Sequence, residues 1–201
     1  MSRTLCIDTS SGTTVALLDG DRLFTRHHGD RRAHAETLAP MIAELCPTPP
    51  DLVVVSTGPA PFTGLRVGIA TARVYAAASG IPVAGVSVLE AYARSYFDSH
   101  PQATKVTVIT DARRREVYWG VYTPAGRNDV RALAGPGVAA PSEVQMRGAY
   151  CGAVSLIDAQ ATDSELAMDT FARIAHSRAE RGADQPTTPL YLREPDIHRR
   201  S

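Results

Sequence analysis

The sequence predicts an α/β protein built from two related domains that divide near residue 100. Three short strands precede the first helix, and the same order of strands before a helix begins again after His100 and Pro101. Residues 51–57, DLVVVST, form a continuous apolar run, which is typical of a strand buried on both faces of a largely parallel sheet. We therefore expect a mixed sheet flanked by helices in each domain, with the domains spanning 1–101 and 102–201.

The elements of the first half follow from the spacing of apolar residues. Period-two alternation predicts strands, and apolar residues three or four apart predict helices. The turn residues Thr9 to Gly12 separate the first two strands, so Asp8 lies at the end of a hairpin, and Pro47 ends the first helix. The predicted elements are strands at 3–8, 13–18, 21–27, 51–57 and 81–86 and helices at 33–46, 64–79 and 88–98.

The second half repeats this order in a smaller form. Its strands are rich in β-branched and aromatic residues, as in KVTVIT and EVYWGVY. The predicted elements are strands at 105–110, 116–122, about 128–134 and around Tyr150, and helices near 141–147 and 164–180.

The balance of charge limits the partners of the chain. Of 201 residues, 21 are Lys or Arg and 21 are Asp or Glu, so the formal charge is zero. Because a free-standing nucleic-acid-binding domain usually carries a basic excess, any RNA is expected to be held mostly by a partner. The N-terminus lacks the apolar run of a signal peptide, and no stretch approaches the roughly 20 apolar residues that span a bilayer. We expect a cytoplasmic protein with no membrane partner.

No pattern of nucleophiles or metal ligands predicts an active site. Cys6, Cys46 and Cys151 are far apart and lack CxxC spacing, which favours free buried thiols. The six histidines provide no pair at i and i+3 or i+4, and the adjacent His27 and His28 point to opposite faces of a strand. A GxSxG motif is also absent. We expect neither catalytic residues nor a metal site in this chain.

Two segments can be interpreted as sites for phosphate. In residues 57–68, TGPAPFTGLRVG, a buried strand runs through a turn into a helix whose first amides can receive an anion. Thr63 can cap that helix, but the GK[ST] and GxGxxG patterns are absent, so a purely structural turn is the alternative. Asp8, Thr9 and Ser10 can hold a magnesium-bound phosphate, although such residues also form ordinary turns.

The helix at 65–78 is apolar or small on nearly every face, which is unusual for a helix that covers one side of a domain. We expect its outer face to meet another chain, since its alanines permit close helix packing; burial entirely within the subunit is the alternative. The predicted partner interface combines this helix with the helix at 33–46. Its residues are Leu38, Met41, Ile42, Leu45, Ala70, Arg73, Val74 and Ala77.

A basic turn stands out in the otherwise neutral chain. Arg113, Arg114 and Arg115 lie between two predicted strands and concentrate positive charge. This turn can contact RNA phosphate or an acidic partner surface, or it can be a solvated hairpin turn.

Five segments together resemble the TsaB family, also called YeaZ. They follow in order over almost the whole chain, and their combination is more specific than any one of them. The segments are IDTS at 7–10, HAETLAPMI at 34–42, TGPAPFTGLRVGIATAR at 57–73, DARRREVY at 111–118 and PLYLREPD at 189–196.

The resemblance implies two actin-like, ribonuclease H-like domains and a role in threonylcarbamoyl transfer to the tRNA adenosine next to the anticodon. It implies a non-catalytic subunit that pairs with its paralogue TsaD through the helices at 33–46 and 64–79, while the ATPase TsaE joins. Contact with tRNA would come through the complex, and ATP and a metal ion would be used by the partner subunits. Two copies of this chain can also pair when it is alone.

The chain departs from the family pattern at one turn. The family usually reads GPGSFTGLR, whereas this chain has Ala60 and Pro61, which removes a flexible glycine and a backbone N–H. Nucleotide binding by this loop is therefore not expected. Two other functions remain to be tested: an ATPase or kinase that uses Asp8, and a glycoprotease, which would need a metal centre that the sequence does not provide.

Overall fold

The chain builds two β-sheets one after the other, and the helices pack against them. The computed structural model describes residues 2–30, 32–144 and 148–193. The elements of the first half are β1 (Arg3–Asp8), β2 (Thr13–Asp19), β3 (Arg22–His28), α1 (His34–Leu45), β4 (Leu52–Ser56), α2 (Phe62–Ser79), β5 (Val83–Val86) and α3 (Val88–Ser99). Those of the second half are β6 (Val106–Arg113), β7 (Glu116–Pro124), β8 (Val130–Ala139), β9 (Ala149–Gly152) and α4 (Asp169–Glu180).

The two sheets share one topology. The first has the strand order β3-β2-β1-β4-β5, in which β1, β2 and β3 are antiparallel and β4 and β5 run parallel to β1. The second has the order β8-β7-β6-β9, with β9 parallel to β6. An antiparallel meander extended by parallel strands beside its first strand is the actin-like, ribonuclease H-like arrangement, so the predicted fold class is confirmed.

Alternation along β1 distributes the core to both faces of the first sheet. Leu5 and Ile7 face α1 and α2, whereas Cys6 faces α4, where it packs with Phe171. Helix α3 packs against the second sheet through Leu89 and neighbouring apolar residues. Helix α4 follows the second sheet in sequence but packs on the first sheet. A boundary near residue 101 therefore lies between the strands of the two sheets, whereas α3 and α4 each pack on the sheet of the other half.

Two predicted helices in the second half differ from the structure. In place of a helix at 141–147, a single 3-10 turn covers Pro141–Glu143, while residues 145–147 lie outside the described ranges. Helix α4 begins at Asp169 and not at 164, because the preceding segment bonds to other elements. The Ser164 N–H donates to Gly152 O and the Ala167 N–H to Ser95 Oγ, at 2.8 and 2.9 Å.

Within the described ranges, no helix is both long enough and apolar enough to span a membrane.

A charged cluster joins α3, α4 and the turn before β8. The Arg178 guanidinium donates to both carboxylate oxygens of Glu90, at 2.7 and 3.0 Å, and to Asp129 at 3.0 and 3.2 Å. Arg181 adds a second contact to Asp129 at 2.5 Å. The Asp129 side chain is almost fully buried, so its charge depends on these partners.

We predict that Arg178→Ala lowers the free energy of unfolding by about 3 kcal/mol, because it leaves two carboxylates without their shared cation in a buried setting. Urea unfolding monitored by circular dichroism measures this change. Arg127→Ala, at an exposed position of the nearby turn, serves as the control and should change stability by less than about 0.5 kcal/mol. A loss below 1 kcal/mol in Arg178→Ala would contradict a structural role for the cluster.

Candidate functional site

Asp8 ends β1 and is buried in the turn that follows. Its carboxylate accepts hydrogen bonds from the Ser10 N–H at 3.1 Å and the Ser10 hydroxyl at 2.9 Å. Burial raises the pKa of Asp8, an effect larger than the opposing hydrogen bonds from Ser10 and Ser56 and the charge of His34. Through these contacts, Asp8 stabilises the turn between β1 and β2.

A cleft of about 210 Å³ lies between the two sheets, lined by the turn after β1, the loop before α2 and the end of β6. Of the three candidate residues Asp8, Thr9 and Ser10, only Ser10 lines it. The described lining contains the carboxylates of Asp111 and Asp163 but no Lys or Arg. Within the described ranges, no group of three or more His, Cys, Asp or Glu residues is placed to hold a metal ion.

Two glycines of α2 allow the helix to lie directly on the end of β1. A Cβ at Gly64 would come within 2.9 Å of Thr9 O and 2.8 Å of His34 Nε2, and a Cβ at Gly68 would overlap Thr9 Oγ1. His34 is itself held by Thr13 Oγ1, 2.8 Å from its Nδ1. The FTGLRVG segment therefore allows α2 to pack closely on β1. The spacing of four residues between Gly64 and Gly68 is a signal for this role that the sequence analysis above did not use.

The predicted N-cap at Thr63 is wrong. Helix α2 begins at Phe62, Pro61 occupies the capping position, and no side chain bonds to the first amides. Thr63 lies inside the first turn with an exposed side chain. Pro61 has φ −55° and ψ 137°, the extended conformation typical of an N-cap residue, so the helix begins at Phe62, one residue before Thr63.

The exposed face of α2 carries one stripe at helical spacing. Its residues stand at i, i+3, i+4 and i+7 and are all exposed, with Val74 at 68%. Among the described residues, Val74 is by far the most exposed of the large hydrophobic side chains, and no apolar element covers it. The stripe consists of four of the predicted interface residues, Ala70, Arg73, Val74 and Ala77.

Two of the predicted interface residues on α1 lie elsewhere. Leu38 and Ile42 are only 1% and 4% exposed, within the core between α1, α2 and the first sheet. They cannot be presented to a partner, because the apolar stripe that identifies an amphipathic helix is the stripe that packs on its own sheet. Met41 and Leu45 are half-buried at the border of this core and remain accessible.

Residues 185–193 form an extended segment, here called the C-terminal strap, that returns over the first domain. The Gly85 N–H donates to Gln185 O at 3.0 Å, and the Leu190 N–H donates to Thr57 O at 2.8 Å. Arg73 of α2 donates to Thr187 Oγ1 and O, at 2.7 and 2.9 Å. The strap therefore lies beside both β5 and α2.

The end of the strap joins the two domains. The Tyr191 ring stacks on Phe62 with centroids 4.6 Å apart, and Arg66 lies over Phe62 and donates to the Tyr191 hydroxyl at 2.9 Å. Arg193 donates to Ala112 O at 3.2 Å and forms an ion pair with Glu116 of the second sheet. The segment YLR, which carried part of the family resemblance, thus makes both contacts.

The basic turn has an unusual backbone. Arg113, Arg114 and Arg115 have φ values of 65°, 56° and 61°, so three consecutive residues that are not glycine adopt the left-handed conformation. Asp111 supports them, because its carboxylate accepts the Arg113 N–H at 2.7 Å and pairs with the Arg113 guanidinium at 2.9 Å. All three arginines are exposed at the surface.

The sequence is similar to proteins connected with a modified tRNA base. A family model described as TsaD, tRNA N6-adenosine threonylcarbamoyltransferase, matches residues 29–176. An uncharacterized protein of Mycobacterium tuberculosis is 35% identical over 220 aligned positions, covering 98% of this chain and 94% of that protein. The tRNA threonylcarbamoyladenosine biosynthesis protein TsaB of Escherichia coli is 32% identical over 127 positions, covering 60% of this chain and 54% of the relative.

Coverage of the other relatives is uneven. An uncharacterized protein of Mycobacterium leprae is 45% identical over 157 positions, a match that covers 72% of this chain but only 40% of that protein. The chain therefore matches less than half of that relative and about half of TsaB from E. coli. Among solved structures, YeaZ from Pseudomonas aeruginosa aligns with a TM-score of 0.77 and 27% identity, covering 96% of this chain and 100% of that one.

We predict that Gly68→Ala lowers the free energy of unfolding by about 1–3 kcal/mol, because the added methyl group overlaps Thr9 Oγ1 and forces α2 away from β1. Thermal and urea unfolding measure the loss. The double variant Thr9→Ala/Gly68→Ala should recover part of it, since the side-chain oxygen nearest the new methyl group is gone. Equal losses in the single and the double variant would show that this contact is not the constraint.

Proposed function

Because this chain belongs to the family described as TsaD, tRNA N6-adenosine threonylcarbamoyltransferase, and within it to the TsaB (YeaZ) branch, we propose that it is a non-catalytic subunit in the synthesis of threonylcarbamoyladenosine in tRNA. Its partner is the catalytic paralogue TsaD, with the ATPase TsaE joining the complex. The tRNA is bound by the complex as a whole, which works in the cytoplasm. ATP and a metal ion are used by the partner subunits.

The exposed stripe of α2 supports this proposal most directly. Val74 is 68% exposed, and the small side chains of Ala70 and Ala77 on either side of it allow a partner helix to approach to about 8 Å between axes. Met41 and Leu45 on the neighbouring α1 extend the apolar surface. A helix pair from a related subunit would cover this stripe, and in its absence a second copy of the chain can do so.

The cleft between the sheets supports a role without catalysis. Asp8 is committed to the turn at the end of β1, and Thr9 is covered by α2, so neither lines the cleft. The described lining of the cleft offers no Lys or Arg to the phosphates of a nucleotide and adds the carboxylate of Asp163, while the carboxylate of Asp111 is already paired with Arg113. The work of the subunit is then to hold its partner in a competent conformation.

The proposal is tested by mixing the chain with the TsaD paralogue from its own host and measuring the molar mass by light-scattering chromatography. The expected result is a heterodimer. The modification of tRNA should require both chains together with TsaE, and the chain alone should not hydrolyse ATP. Magnesium-dependent ATP hydrolysis by the purified chain, with no complex formed, would instead support the kinase-like function.

We predict that Ala77→Asp weakens the heterodimer at least about tenfold, because it places an unpaired carboxylate in the desolvated centre of the helix contact. Titration calorimetry with the TsaD paralogue measures the affinity. Ala179→Asp, an exposed position on α4, makes the same chemical change away from the stripe and should bind normally. Normal pairing by a folded Ala77→Asp chain would refute the assignment of the interface to α2.

A further inference from the structure

We propose that a cavity between the start of α2, the basic turn and the C-terminal strap is an RNA-binding pocket that takes an unpaired nucleotide of the tRNA. The cavity measures about 270 Å³, close to the lower end of small-ligand pockets. Its walls combine aromatic rings with arginines, chiefly Phe62, Tyr118, Tyr191, Arg113, Arg114 and Arg193. This inference rests on the proposed function and adds to it a specific place where this subunit contacts RNA.

The charge of the pocket fits a phosphate. Its described lining includes three arginines and no carboxylate. Arg66 and Arg115 lie close by, so the described residues around the pocket bring five arginines against two carboxylates, Asp111 and Glu116, on a chain of zero net charge. A guanidinium has five N–H donors, so an arginine held by one carboxylate can still donate to phosphate oxygens.

The rings of the pocket fit a base. Tyr191 is 41% exposed and stacks with Phe62 beside the arginines. Recognition of unpaired RNA commonly combines base stacking on aromatic side chains with arginine contacts to the backbone. An acidic protein segment would use the charges but would gain no stacking on the exposed part of the Tyr191 ring, so the combination of arginines and an exposed ring favours RNA.

The pocket is held in shape before any ligand arrives. Arg66 fixes the Tyr191 hydroxyl, Arg193 fixes the strap to Ala112 O, and Asp111 fixes the left-handed turn that carries Arg113. Such preorganisation reduces the entropy that binding would otherwise cost.

The position of the pocket suits an RNA that is held mainly by a partner. Phe62 begins α2, and the exposed stripe starts eight residues later at Ala70, about 12 Å along the helix. A single-stranded segment of RNA that is held by a subunit docked on the exposed stripe can therefore reach the pocket. This arrangement reconciles local RNA contact with a chain that has no overall basic excess.

The test uses the assembled complex and a fluorescent transcript of a substrate tRNA from the same host, with affinity measured by anisotropy at several salt concentrations. Arg114→Glu should weaken binding about tenfold and reduce the salt dependence by about one phosphate contact. Tyr191→Ala should weaken it by a similar factor, whereas Tyr191→Phe, which keeps the ring, should retain most of the affinity. Arg131→Glu is the matched control, since its exposed side chain lies near the far end of β7, opposite Thr123.

A second readout locates the contact directly. Transcripts containing 4-thiouridine are cross-linked to the complex with ultraviolet light, and the attached peptides are identified by mass spectrometry. Cross-links to peptides that contain Tyr118 or Tyr191, together with the affinity losses, would support the pocket. Variants that assemble normally and bind RNA as tightly as Arg131→Glu would overturn the pocket and leave the proposed function intact. Failure of the unaltered chain to form any complex with TsaD would overturn both.

Discussion

Helix α2 can lie on the carboxyl end of β1 only because Gly64 and Gly68 have no side chains to meet Thr9 and His34. This contact sets the rotation of the helix about its own axis. With the glycines turned inward, Ala70, Val74 and Ala77 are turned outward, and Phe62 is directed toward the second domain. The exposed stripe of α2 and the Phe62 wall of the proposed RNA-binding pocket therefore depend on the same close approach of α2 to β1.

The same packing limits what the interdomain cleft can do. In this chain the end of β1 is used for structure, since Asp8 bonds to Ser10 and Thr9 is covered by α2. The raised pKa of Asp8 is a consequence of that burial. Asp8 and Thr9 are thus part of the packing around the turn, and the functions proposed for this chain lie on its surfaces.

The C-terminal strap connects surfaces that would otherwise belong to separate domains. It bonds to β5 and α2 on one side, and through Arg193 it reaches the hairpin of the second sheet on the other. The cluster around Arg178 joins the same two halves at α3 and α4. Both connections are polar and well bonded, which favours a fixed orientation of the stripe relative to the basic turn.

The sequence by itself determined the succession of strands and helices along the chain and the division into two α/β halves, because period-two and helical spacing report on which face of an element is buried. The actin-like class came from the family resemblance of the five segments. The sequence also placed Ala70, Val74 and Ala77 on an outward face. The sequence did not show that Leu38 and Ile42 are buried in the core and therefore differ from these exposed residues. Apolar residues give the same sequence pattern whether they pack on their own sheet or on another chain. The pocket was decided by tertiary structure alone, because Phe62, Tyr118 and Tyr191 are brought together by the strap from positions far apart in the chain.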